Sequence, residues 1–311
     1  MNILGKRYIF FAISLVFILV GLVIIAVDGL PLAIDFRGGT LLELQYSDAD
    51  LPATDQVVTI YDNFGFKEVS AQTANDSNDR RTILIIRSPF MDEVIKGQIV
   101  TELESLTTAE IVVNSFESVG PVIAEQVTQR AAVAVGIAAL AVVIYITFAF
   151  RGITNAFRYG VCGILAMLHD VLIVVSLSAI GGVLFGWQVD SMFLTALLTV
   201  IGFSVQDKIV VFDRIRENST IFRKLQYEKL VNHSIVQTLQ RSINTQLMTV
   251  EFMLLALALF GGVTLREFAV ILLVGLFSGT YSSIFIAAPL LVVWETKEWK
   301  NWFKKGEKAA T

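Results

Sequence analysis

Charge is what this sequence has least of. Only 17% of its 311 residues are charged, against about a quarter in soluble domains. The residues that usually carry chemistry are as scarce: there is one cysteine and there are two histidines. Cys162 has no second thiol in the chain, which excludes an internal disulfide. His169 and His233 have no ligand-spaced partner except Asp170, which the helical period turns about 100° away from its neighbour. No metal site is therefore expected. No P-loop and no dinucleotide fingerprint occurs, so no nucleotide bound by this chain supplies work, and an enzyme is not expected. The net charge of -4 gives no footprint for a nucleic acid partner.

What the chain has in abundance is apolar length. Hydrophobic residues make up 55% of it, and the mean hydropathy is +0.68. Six stretches are long enough to cross a bilayer: 8–27, 131–149, 160–184, 191–212, 245–262 and 268–294. The first is longer than a signal-peptide core and lacks a small-residue cleavage site, so it reads as a retained anchor. Basic residues near span ends are held on the cytoplasmic side. Lys6, Arg7, Arg151, Arg158, Arg214, Arg216, Arg223, Lys224, Lys229 and Arg241 fall on one side with the tail Lys297, Lys300, Lys304, Lys305 and Lys308, while the opposite short loops hold only Arg266. The expectation is a multi-pass protein with both termini cytoplasmic. Its parts are an N-tail and first span (1–29), an outside insert (30–127), a bundle of five spans (128–294) with a cytoplasmic segment at 213–243, and a basic tail (295–311).

The insert alone has the composition of a soluble domain. GTLLELQY (39–46) alternates as a strand, and 53–65 carries Val57, Ile60, Tyr61 and Phe64 at helical spacing before Gly65. KEVSAQT (67–73) and RTILIIRS (81–88) read as strands, Pro89 opens a helix over 91–106, and EIVVNSFESV (110–119) closes the series. The order β-α-β-β-α-β is that of a ferredoxin-like split βαβ domain. With no histidine and no cysteine, this domain is expected to bind or to transmit movement rather than to catalyse.

Against the apolar background a few ionisable residues stand out: His169 and Asp170 in the third stretch, Asp207 and Lys208 in the fourth, Arg241 and Glu251 around the fifth. An ionised side chain at the bilayer centre costs at least about 2.5 to 3.5 kcal/mol, so such groups face the bundle interior, are paired, and mark function. Asp207 lies six residues before Asp213, roughly 9 Å along a helix, and so inside the hydrocarbon.

AIDFRGGT (33–40) resembles the Asp-Phe-x-Gly-Gly signature of the SecD/SecF family, accessory subunits of the protein-export translocase. SVGPVIAEQV (118–127), MLHDVLI (167–173), IGFSVQDKIVVFDRIREN (201–218), QRSINTQLMT (240–249) and the long stretch 260–291 resemble the SecF branch in family order. The resemblance implies a resistance-nodulation-division type subunit of the inner membrane. It would work with SecD beside the SecYEG channel, on exported polypeptide and among membrane lipid, with no cofactor and with a proton or sodium as coupling ion. Residue by residue, Asp207 matches the family's membrane aspartate, and Asp213, Arg214, Arg216 and Glu217 match the cytoplasmic end of its span. Arg241, Thr245 and Thr249 match groups implicated in ion movement, and His169 and Asp170 match a His-Asp pair. Asp35, Phe36, Gly38 and Gly39 form the link to the outside domain.

Departures from the family cluster in one region: Gln206 for Asn, Lys208 for Thr, Gln246 for Ser, Met248 for Thr, and Glu251 for an apolar residue. Lys208 and Glu251 have opposite charges at comparable depth on antiparallel spans, so a compensating pair is expected, leaving Asp207 to act with Arg241 and a SecD carboxylate. Gly182 with Gly186, and Gly275 with Gly279, have the spacing of close helix packing. Two other readings stand beside this one: half of another exporter of the superfamily, and a passive membrane scaffold or sensor.

Overall fold

The structure, a computed structural model, describes residues 3–46, 51–75, 82–107, 111–151, 156–246, 252–261 and 263–298. In chain order come α1 (Arg7–Asp28), α2 (Ile34–Arg37), β1 (Gly39–Tyr46), α3 (Thr54–Asn63), β2 (Ser70–Asn75), β3 (Thr82–Ser88), α4 (Glu93–Ser105) and β4 (Ile111–Val119). Seven helices follow: α5 (Pro121–Ala149), α6 (Ala156–Phe185), α7 (Ser191–Ile221), α8 (Tyr227–Gln246), α9 (Phe252–Phe260), α10 (Val263–Ser282) and α11 (Ala288–Glu295). The chain divides into two compact units, Leu32–Val133 and Met1–Pro31 with Ala134–Thr311.

The first unit is built on a four-stranded sheet in the order β2-β3-β1-β4, every neighbouring pair antiparallel. Period-two alternation decides its faces. Leu42, Leu44 and Tyr46 of β1 are buried with Leu84 and Ile86 of β3, and the helices add Val57, Ile60, Tyr61, Ile99 and Leu103 to the same core. Each such side chain contributes about 1.5 to 3 kcal/mol on burial. α3 stops where Gly65 turns to φ 86°, with the Gly65 N–H donating to the Asp62 carbonyl and the Phe66 N–H to the Tyr61 carbonyl. Closing that helix occupies residues 64–66, and Glu68 takes a positive φ, so β2 begins at Ser70 rather than Lys67. α4 opens on Asp92, whose carboxylate accepts from the Ile95 N–H, rather than on Pro89.

The link into this sheet depends on its glycines. Gly38 and Gly39 have φ of 78° and 129°, and a Cβ on Gly39 would lie 2.7 Å from the Ser88 carbonyl oxygen. Asp35 and Phe36 lie in α2, and the Phe36 carbonyl accepts from the Thr128 hydroxyl at 3.1 Å.

Among the described residues five helical segments are long and apolar enough to span a bilayer: Leu4–Asp28, Pro121–Ala149, Ala156–Phe185, Ser191–Ile221 and Leu265–Glu295. Of the sequence-expected span at 245–262, residues 247–251 lie outside the described residues and α9 covers nine of the rest. Large apolar side chains along α1 and α5 are exposed, as befits segments that meet lipid. α8 turns Leu230, Val231, Ser234, Ile235 and Thr238 inward, one face of a helical period.

Small residues set how closely the spans approach. A Cβ on Gly275 would sit 2.3 Å from Val200 and one on Gly279 3.2 Å from the Ser204 backbone, so α10 lies directly on α7. A Cβ on Gly182 would lie 2.8 Å from Pro31, while Gly186, with φ 71°, ends α6, its N–H donating to the Gly182 carbonyl. Two close approaches had no matching motif, Gly21 against Ser176 and Gly181 against Trp187. Between α10 and α11 the last span widens into a π turn at Ser283–Ala287, where Pro289 has no N–H to offer the Phe285 carbonyl.

Candidate functional site

The closeness of α10 to α7 brings hydroxyls from two helices onto one carboxylate of a third. Asp170 of α6 is fully buried, and five polar groups surround it. His169 Nδ1 (3.0 Å) and Ser278 Oγ (2.7 Å) reach Oδ1. Ser204 Oγ (2.6 Å), Lys208 Nζ (2.7 Å) and Ser282 Oγ (2.7 Å) reach Oδ2. The Lys208 ammonium, 1% exposed, also donates to the Ser204 carbonyl at 3.1 Å. Each ion costs several kcal/mol to desolvate, a cost that this full set of hydrogen bonds offsets.

Lys208 pairs with Asp170; Glu251, its expected partner, lies outside the described residues together with Thr249. A 100° step separates the Cα–Cβ directions of His169 and Asp170, yet their side chains meet, with His169 Nδ1 3.0 Å from Asp170 Oδ1. The expectation that these two point apart is corrected.

Asp207, the next residue to Lys208, faces another way. It is 7% exposed, and its Oδ2 accepts from the Thr280 hydroxyl of α10 at 3.0 Å. Arg241 and Thr245 are exposed near the end of α8. The buried acids are thus served differently: Asp170 is enclosed by donors and a cation, while Asp207 shares a hydroxyl at the edge of the core.

The C-terminal end of α7 clamps α8. Arg214 Nε donates to the Gln237 side-chain oxygen at 2.7 Å, Asn218 donates to the same oxygen and to Ser234, and Arg214 pairs with Glu217. Asp213 and Arg216 form an exposed pair at 3.6 Å, worth little. Nearby, Arg7 joins Glu228 of α8 at 2.8 Å and Glu298 at 2.7 Å. Burial pushes the Glu298 carboxyl up, but the bonds from Arg7 and Tyr8 outweigh it and hold the group below the ordinary carboxylate range.

The sequence reading missed the hydroxyls Ser204, Ser278, Ser282 and Thr280. A signal was present: Gly275, Ser278, Gly279 and Ser282 repeat at three and four residues, one small polar face on one helix, and Ser204 precedes Lys208 by one turn. Among the described residues no three His, Cys, Asp or Glu side chains gather as a metal-holding group.

Comparison with known proteins agrees with this architecture. Residues 98–297 match the family described as protein export membrane protein SecD/SecF, C-terminal, and residues 23–50, which contain Gly38 and Gly39, match the SecD/SecF GG motif. The protein translocase subunit SecF of Anaerolinea thermophila is 64% identical over 311 residues, covering 100% of this chain and 99% of its own. That of Thermobaculum terrenum is 42% identical, over 99% of this chain and 98% of its own. The crystal structure of SecDF, a translocon-associated membrane protein, from Thermus thermophilus superposes with a TM-score of 0.79 at 33% identity, over 95% of this chain and 39% of SecDF. A family match over residues 98–297, a second over the GG motif, full-length kinship to SecF subunits and a shared fold place this multi-pass membrane chain in the SecD/SecF family of protein-export proteins, as a SecF-type subunit.

Proposed function

We propose that the chain works as the ion-driven half-partner of SecD beside the SecYEG channel, drawing exported polypeptide outward in the late stage of translocation. In this reading it crosses the plasma membrane six times with both termini cytoplasmic. The outer unit is a ferredoxin-like domain that holds emerging polypeptide, a reading supported by its β-α-β-β-α-β order and its 2-3-1-4 sheet. A proton or sodium ion provides the coupling, with no other cofactor.

One observation carries the proposal: Asp207 is a buried carboxylate in a membrane-spanning helix, its Oδ2 accepting from the Thr280 hydroxyl of a neighbouring span, and it is the next residue in the chain to Lys208 of the Asp170–Lys208 pair. A carboxylate so placed is able to change its charge with the ion gradient, and a helix that touches it through Thr280 is able to respond. Arg241 and a SecD carboxylate are the proposed further members of the relay.

The partners and the energy source are tested together. The tagged chain, isolated from its native membranes, is expected to bring SecD and channel subunits with it. Export into membrane vesicles is expected to lose its stimulation by this complex when the proton gradient, or the sodium gradient, is dissipated. Isolation without SecD, or stimulation that persists with both gradients collapsed, contradicts the proposal.

A further inference from the structure

The Asp170 cluster contains one atom that the ion pair does not use. A carboxylate offers about four lone-pair positions, and those of Asp170 face the Lys208 ammonium and the Ser204, Ser278 and Ser282 hydroxyls, with the His169 ring beside Oδ1. The ammonium and this set of hydroxyls hold Asp170 as the anion. An ionised carboxylate accepts only, and the His169 nitrogen facing it must therefore be the one that carries hydrogen. This assigns the Nδ1–H tautomer and leaves a lone pair on Nε2. That nitrogen is buried and has no hydrogen-bond partner among the described residues.

The other ionisable groups around the ring are already committed. Lys208, from α7, is paired with Asp170. Asp207, from the same helix, accepts from Thr280. Tyr281 of α10 stacks on the imidazole at 6.2 Å between centroids, and its hydroxyl donates to the Phe10 carbonyl of α1. From α1 the polar group at this level is Ser14, which donates to the Tyr281 hydroxyl.

We infer that His169 Nε2 is a proton-binding site within the third membrane-spanning helix, separate from Asp207. The cluster is neutral when His169 is neutral and carries one positive charge when Nε2 takes a proton. Asp170 favours the charged state through the near side of the ring, and Lys208 opposes it. Lys208 thereby sets how tightly the proton is held. The inference goes beyond the reading of Asp207 and stands whether or not Asp207 couples to a gradient.

The chain's two histidines make a direct test practical. The full chain with His233→Gln, labelled with ¹⁵N-histidine and reconstituted in lipid nanodiscs, gives imidazole signals from His169 alone. The expected spectrum at alkaline pH is a single Nδ1–H tautomer with an unprotonated Nε2. Acidification is expected to convert it to a ring protonated on both nitrogens. Lys208→Met is expected to move that conversion upward by at least about one pH unit, a tenfold tightening of proton binding. His169→Asn, which donates from about the position of Nδ1, is expected to keep the fold and to take up one proton fewer on acidification. An Nε2–H tautomer, or a ring that stays neutral from about pH 9 down to about pH 4.5, overturns the inference. Because the Lys208-containing protein is titrated first, that result decides even where Lys208→Met does not fold.

Discussion

The two units of this chain are inside-out versions of each other. The outer unit buries Leu42, Leu44, Tyr46, Tyr61, Ile99 and Leu103, and its exposed ion pair, Lys96 with Glu93, lies on the surface. The helical unit exposes its leucines, valines and isoleucines and buries Asp170, Lys208, Asp207 and a set of serines. In water, removal of apolar surface drives folding, and an ion inside is a liability. In lipid, the outside is as apolar as any core, so packing rests on small residues and on polar contacts between helices. The helical unit therefore holds charges in its interior without giving up its main source of cohesion, and those charges are where function concentrates.

The contrast is sharpest where a charge is stranded. Lys208→Met alone or Asp170→Leu alone is expected to cost about 3 to 5 kcal/mol, while the double substitution costs less than either single, read from thermal melts in nanodiscs. Additive losses would show that the pair is not held as described. In the outer unit the corresponding blow is a cavity: Leu44→Ala is expected to cost about 2 to 5 kcal/mol and to release hydrogen-exchange protection in β1 and β3. Gly39→Ala forces a side chain into φ 129° against the Ser88 carbonyl and is expected to cost about 1 to 3 kcal/mol by the same exchange measurement.

The smallest effect is a change with pH. Burial pushes the Tyr46 phenol up to about 12 and the Tyr61 phenol up as well, and neither hydroxyl has a hydrogen-bond partner among the described residues. Stability from keeping Tyr46 neutral is complete below the unfolded value of about 10 and is lost as pH rises toward 12. Tyr46→Phe is expected to change stability little at neutral pH and to flatten the loss in that alkaline window. A steeper alkaline loss in the variant would contradict the assignment.

How much of this was legible in the sequence differs between the units for a physical reason. Strand alternation and helical spacing are local, so residues 39–119 yielded the element order, with errors only at ends settled by capping: Ser70 instead of Lys67, Asp92 instead of Pro89. The buried ions of the helical unit were legible as exceptions in apolar runs, which singled out His169, Asp170, Asp207 and Lys208. Their pairing was not. That Lys208 meets Asp170 depends on how α6, α7 and α10 cross, and that depends on the Gly275 and Gly279 contacts with α7. Gly186 shows the same limit: spacing suggests packing, and its role as the end of α6 shows only in its φ of 71°.

Of the buried acids of the helical unit, Asp170 is held by Lys208 and three serine hydroxyls, while Asp207 is the one proposed to respond to the gradient. Asp207→Asn tests this division most directly, measured for gradient-stimulated export with SecD and for thermal stability in the same preparation. The account predicts that gradient stimulation disappears while the melting temperature stays within about 4 °C of the unsubstituted protein, a change of under about 1 kcal/mol. Full stimulation with Asn at 207, or a collapse of the fold comparable to that of the Lys208 and Asp170 single variants, would contradict it.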